Sequence, residues 1–112
     1  MLEIAVSDVE NVKIVAANGR IDSMSAGKLA GALSGAITGS GANIVLDLSA
    51  VDYMSSAGLR EIVAALKQAK RASGDLRVVR PSPRVMEVFE MAGLDTIIRI
   101  FPTQNEATSS YL

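Results

Sequence analysis

Histidine, cysteine and tryptophan are all missing from this chain. Without cysteine there is no disulfide framework and no thiolate metal site. Without histidine, the Ser–His arrangement of hydrolases and imidazole metal sites are excluded. Aromatic residues make up only 4% of the chain, so aliphatic side chains must supply any core. No apolar run approaches the roughly 20 residues of a membrane-spanning helix, and the first residues lack a basic-then-apolar leader pattern. These absences lead to the expectation of a cytoplasmic protein with no membrane partner.

Charge of one sign is not in excess either, with 11 Lys and Arg against 12 Asp and Glu. Nucleic-acid binding normally leaves a basic footprint, and direct contact with nucleic acid is not expected. The local cluster Lys67, Lys70, Arg71, Arg77, Arg80 and Arg84 lacks interleaved aromatics. It reads as a solvated helix face plus loop. No Gly-x-x-x-x-Gly-Lys-Ser/Thr loop is present, and no Gly-x-Gly-x-x-Gly follows a strand, which argues against a nucleotide-binding or nucleotide-hydrolysing domain. No cofactor is implied.

What is present is a regular alternation of strand and helix patterns. At 112 residues the chain has the length for a single domain over 1–112 with one core. Leu2, Ile4 and Val6 alternate with Glu3, Ala5 and Ser7, the period of a half-buried strand. Asp8-Val9-Glu10-Asn11 is turn-like, and Val12 to Ala17 returns as a second strand, making an antiparallel hairpin. Gly19-Arg20-Ile21-Asp22 ends it.

Asp22-Ser23-Met24-Ser25 offers several helix N-caps. The helix that follows carries Leu29, Leu33 and Ile37 on one stripe, and the turn Thr38-Gly39-Ser40-Gly41 is expected to stop it. Gly27, Gly31 and Gly35 repeat along this helix and are read as close packing on a sheet rather than as a membrane dimer face.

Asn43 to Leu48 is a short apolar run rich in β-branched residues, the mark of a buried strand. Leu59, Ile62, Val63 and Leu66 then give a helix one apolar face, running to about Arg71. Gly74 in Ala72-Ser73-Gly74-Asp75 suits a left-handed helix end. Leu76 to Val79 is a further strand. Ser82 can cap a helix with Pro83 at its first position, and Val85, Val88, Phe89 and Met86 are its inward candidates. Gly93 closes that helix, and Ile97 to Phe101 forms a last strand or extended segment. The mostly polar residues 102–112 read as a frayed tail or a short terminal helix.

The order is β-β-α-β-α-β-α-β, an α/β fold. Strands alternating with helices after an opening hairpin imply a small mixed sheet with right-handed crossovers.

Between the central strand and its helix sits Ser55-Ser56-Ala57-Gly58, small residues with two hydroxyls. One of these serines is expected to start the helix, since a serine Oγ accepts a hydrogen bond from a free amide of the first turn. Glu61 is read as lying in the first turns, where a carboxylate suits the helix dipole. Two readings stay open on the residues alone. Both serines are caps, the commoner case, or one hydroxyl is where phosphate is added and removed, held by the amides and dipole of a helix start. Asp47 and Asp52 flank the unit. An acid/base pair or Mg²⁺ site is the sharper reading, and turn and cap groups the favoured one. With no general base beside Ser56, no catalytic residue and no metal ligand is assigned, and an enzyme is not expected.

The stretch Val51-Asp52-Tyr53-Met54-Ser55-Ser56-Ala57-Gly58-Leu59 resembles the signature of the STAS domain, specifically the bacterial anti-sigma-factor antagonist family. Gly19-Arg20-Ile21-Asp22 resembles that family's Gly-x-Leu/Ile-Asp, and Ser82 to Val85 with Phe89 to Leu94 resembles its closing segment. The resemblance implies the STAS fold, with helices packed mainly on one face of the sheet. It implies Ser56 as the phosphorylated serine, with Ser55 as the alternative, because Ser55 stands where many members have Asp. It also implies a partner-binding surface of Asp22, Ser23, Ser55, Ser56, Ala57, Gly58 and Leu59.

The partners implied are an anti-sigma factor that is also a serine kinase, and a serine phosphatase. The unphosphorylated form would bind the kinase and release its sigma factor or an analogous client. The alternative is a constitutive STAS scaffold subunit of a stress-signalling or lipid-transport assembly.

Overall fold

The computed structural model describes residues 1–37 and 42–112 and begins with strands β1 (Leu2–Val9) and β2 (Val12–Ile21). They pair antiparallel from Leu2↔Gly19 to Val9↔Val12. Glu10 and Asn11 form the whole turn, both with positive φ (48° and 69°). That mirror-image geometry matches the right-handed twist of paired strands, so pairing draws Asp8 and Val9 into β1 rather than leaving them in a longer turn.

Strands β3 (Asn43–Met54), β4 (Asp75–Val79) and β5 (Ile100–Phe101) add in chain order, all parallel, giving the sheet β1-β2-β3-β4-β5. One helix crosses each parallel step: α1 (Ala26–Ala36), α2 (Ser56–Arg71) and α3 (Pro83–Met91). Right-handed crossovers that step the same way along a sheet put every helix on one face. There Leu29, Leu33, Ile62, Leu66, Val85 and Phe89 bury against Val15, Ile44, Leu46 and Leu76. Ser82 Oγ accepts from the Val85 amide at 3.3 Å, with Pro83 beginning α3 as expected.

The end of the chain packs on the opposite face. Helix α4 (Gln104–Ser109) seats Ala107 on Val12, Ile14, Val45 and Val79. The Tyr111 hydroxyl lies 2.7 and 2.8 Å from the Ile44 and Asp75 carbonyls, under the Arg77 guanidinium. Of the two readings of residues 102–112, the short helix holds, and it is docked rather than frayed. The last strand is shorter than its sequence pattern, because a 3₁₀ turn, Leu94–Thr96, follows the left-handed Gly93 and precedes it.

Three sequence expectations are corrected. A Cβ built on Gly27, Gly31 or Gly35 meets nothing within 4 Å, so this stripe faces outward and is not packed on the sheet. Ser73, not Gly74, takes the left-handed conformation (φ 65°) after α2. Gly74 is required for a different reason: a Cβ there would overlap the Ala42 carbonyl. Glu61 lies beyond the first turn of α2, which contains no acidic residue. The expected helix stop at Thr38-Gly39-Ser40-Gly41 lies outside the described residues.

Candidate functional site

β3 runs six residues past Leu48, where the apolar run ends, and delivers the Ser55-Ser56 pair at the sheet edge from which parallel strands feed their helices. Its register against β2 slips twice, between the Ala16 and Asn18 pairings and between those of Gly19 and Arg20. Each slip places an extra residue in β3, bending the strand. Asp47 supports the first bulge, its Oδ1 accepting from the Ser49 amide at 2.9 Å and its Oδ2 from Gln104 Nε2. Burial pushes the Asp47 carboxyl up, but the bonds from Ser49 and Gln104 outweigh it and hold the pKa below the ordinary value. Asp47 is thus a strand residue locked by its neighbours, not a turn or helix cap, and Asp52 is exposed within β3.

The Ser55 amide donates to the Ile21 carbonyl at 2.8 Å, tying the start of α2 to the end of β2. Ser55 holds the N-cap position in extended conformation, but its side chain makes no cap bond. Its Oγ is buried and, among the described residues, has no hydrogen-bond partner. Ser56 is the first residue of α2 and is exposed. The amides of a first helical turn have no intrahelical acceptor, so the Ser56 hydroxyl stands beside free donors at the positive end of a helix. The two hydroxyls, Ser56 expected from the resemblance and Ser55 its alternative, are therefore distinct in access.

Gly58 explains how close α2 comes. A Cβ on Gly58 would sit 2.5 Å from Ile21 Cγ2 and 3.2 Å from Met54 Cγ, so only glycine lets the first turn rest on these two strand ends. Gly58 and Leu59 are buried and Ala57 half-buried, which makes Ser56 the outward member of this group.

The β2–α1 loop lies beside it, joined through the Ile21–Ser55 bond. Asp22 Oδ1 accepts from the amides of Met24 (3.0 Å) and Ser25 (3.1 Å), and Oδ2 accepts from Arg20 Nε at 3.3 Å. Ser25 Oγ accepts from the Asp22 amide at 2.9 Å, closing the loop on itself. Desolvation raises the Asp22 pKa, but the bonds from Ser25, Met24 and Arg20 prevail and keep the carboxylate ionised below its ordinary value. The Arg20 guanidinium also stacks 4.2 Å above the Tyr53 ring, fixing this side of the site. Ser23 is exposed, as is Met24 at 94%, an apolar side chain held out at the tip.

Sequence reasoning passed over Met24. The signal was there: an unbranched apolar residue inside a run of capping residues has no core to enter.

From Ser56 a groove of about 590 Å³ runs along α2 toward the end of α3. Leu59, Val63 and Leu94 form its floor, and Arg60, Lys67 and Arg71 line it with charge. Arg60 immediately follows the motif stretch and was not singled out from the sequence. Among the described residues no group of three or more Asp or Glu is placed to hold a metal ion, and no helix is long and apolar enough to cross a membrane. Ser56 thus carries an exposed hydroxyl at a helix start, in a chain without histidine.

Comparison with known proteins gives a consistent result. The family model of the STAS domain matches residues 3–107. BtrV of Bordetella bronchiseptica, provisionally named an anti-sigma factor antagonist, is 32% identical over 104 residues, covering 93% of this chain and 87% of BtrV. The anti-sigma-B factor antagonist of Listeria monocytogenes is 33% identical over 105 residues, covering 94% of this chain and 91% of its own. The crystal structure of an anti-sigma factor antagonist from Mycobacterium paratuberculosis superposes with a TM-score of 0.89 at 28% identity, covering 98% and 93% of the two chains. All three are named as antagonists of anti-sigma factors.

Proposed function

Because the chain belongs to the STAS domain family, we propose that it is an anti-sigma factor antagonist whose binding is switched at Ser56. Unmodified, it docks onto an anti-sigma factor that is also a serine kinase and releases the sigma factor or an analogous client. The docking surface is Ser56 with the neighbouring loop of Asp22 and Ser23, and Met24 adds an apolar anchor to it. The kinase holds the ATP and Mg²⁺. The Ser56 Oγ–P bond forms as the bond between the β- and γ-phosphates breaks, ADP leaves, and the hydroxyl proton passes to a base on the kinase. A serine phosphatase hydrolyses the ester and resets the switch. All of this takes place in the cytoplasm of a bacterium.

The names of the relatives support the antagonist role. The observation that carries the switch is the contrast between two adjacent hydroxyls, Ser56 exposed at the head of α2 and Ser55 Oγ buried. A phosphate on Ser56 brings about −1.5 to −2 charges at pH 7. It meets free amides and a helix dipole, so α2 tolerates it, while Asp22 nearby makes the surface doubly negative toward a docking partner.

Binding of Ser56→Ala and Ser56→Asp to an anti-sigma factor kinase from the same cells tests the reading. Ser56→Ala is expected to bind as tightly as the unmodified protein and Ser56→Asp more weakly. Equal binding by the two variants would overturn it.

A further inference from the structure

The groove beside α2 shares Ser56 with the proposed docking surface but is built for a further contact. Arg60, Lys67 and Arg71 are spaced by seven and four residues, which puts them on one face of a helix. All three are exposed, and among the described residues none makes an ion pair. The neighbouring Lys70 and Arg77, by contrast, are both paired with Asp75. Below the cations lies an apolar floor, and at its far end Met91, next to the wall residue Ala92, is 83% exposed. A line of unpaired cations over an apolar trough is complementary to a segment with one apolar and one acidic face.

We propose that this groove docks an acidic amphipathic helix of the protein's partner, and that phosphate on Ser56 withdraws Arg60 from that contact. The inference rests on the switch described above and adds a second mechanism to it. Ser56 and Arg60 are four residues apart on α2 and both line the groove. An anion four residues before a cation is the favourable helical order, so phosphoserine 56 takes Arg60 as its own counter-ion. The partner then loses a cation at the head of the groove and meets a dianion in its place.

The test is a titration, followed by amide NMR shifts, of the whole protein with a synthetic helical peptide bearing Leu on one face and Glu on the other. The shifts are expected at Leu59, Val63 and Leu94. Lys67→Glu with Arg71→Glu, both exposed substitutions far from Ser56, should weaken the peptide by roughly tenfold, as two exposed attractions become repulsions. Equal binding of a Leu/Lys peptide, or the same groove shifts with duplex DNA or anionic vesicles, overturns the choice of partner.

The Arg60 role is read from non-additivity. Arg60→Gln should weaken the peptide by about threefold in the unmodified protein and not at all when phosphoserine has been installed at position 56 during synthesis. Additive losses overturn it. Because the phosphate is installed without a kinase, a failure here is distinct from a failure of the switch in cells. Melting curves of each variant confirm that the fold is retained.

Discussion

Ser55 and Ser82 both stand immediately before a helix in extended conformation, at φ −91°, ψ 171° and φ −60°, ψ 160°, yet only Ser82 caps its helix. Ser82 Oγ accepts from the Val85 amide, while Ser55 Oγ is buried without a partner among the described residues. The difference lies in what each chain turn must do. Ser55 is held by its backbone bond to Ile21, which ties the start of α2 to the end of β2, and its side chain makes no bond to the first turn.

Removing the two hydroxyls should therefore have unequal effects. Ser82→Ala is expected to cost about 1 kcal/mol, the worth of a serine cap. Ser55→Ala should lie within about 0.5 kcal/mol of the parent, since no hydrogen bond is lost. Urea unfolding of both variants checks this, and a Ser55→Ala loss as large as that of Ser82→Ala would mean that Ser55 caps α2 after all.

Gly58→Ala is expected to destabilise by roughly 1–3 kcal/mol, the range for overpacking, because the added methyl meets Ile21 and Met54. Relief of the clash must move α2 away from the β2 end. Amide shifts should then spread into Asp22 and Met24 as well as Ser56, a pattern that a purely local strain would not give.

The glycines of α1 work in the other direction. Gly31→Ala and Gly35→Ala should each stabilise by about 0.5–1 kcal/mol, because the positions are helical and open. Thermal melting of the double variant decides this, and a drop in Tm would show that this face of the helix is covered.

Stability should fall at both ends of the pH range. Asp22 and Asp47 have lowered pKa values, so their ionised forms favour the fold above the ordinary carboxylate value near 4. That contribution is lost as pH falls below about 4 and through the lower folded values. Asp47→Asn should flatten this acid limb.

Tyr111 is the opposite case. Burial raises its pKa, with Arg77 opposing, so its contribution is complete below about pH 10 and is lost as pH rises above that. Tyr111→Phe should remove this alkaline limb and cost roughly 1–2 kcal/mol at neutral pH, where the Ile44 and Asp75 carbonyls lose a donor.

How much of this was legible depended on whether a residue's role is periodic or positional. The order of elements followed from local signals: Ile44 to Leu48 as an apolar run, Leu59 to Leu66 at helical spacing, and Ser82-Pro83 as a helix start. The bulges in β3 left no such trace, because Asp47 and Ser49 act through a hydrogen bond inside a strand rather than through a pattern. The docking of α4 was equally hidden. A polar six-residue helix has little signal, and what holds it is Ala107 and Tyr111 against strands far away in sequence. At the site, the motif drew attention to Ser55 and Ser56 together, and only the path of the backbone from Ile21 to Ser55 separates their exposure. The glycine stripe of α1 misled because spacing shows which residues share a face but not what that face meets.

Peptide-level mass spectrometry of the protein purified from its own cells is the first check on the Ser56 switch. A single phosphate is expected on Ser56, with none on the buried hydroxyl of Ser55. Phosphate on Ser55, or an unmodified chain under every growth condition, would contradict it.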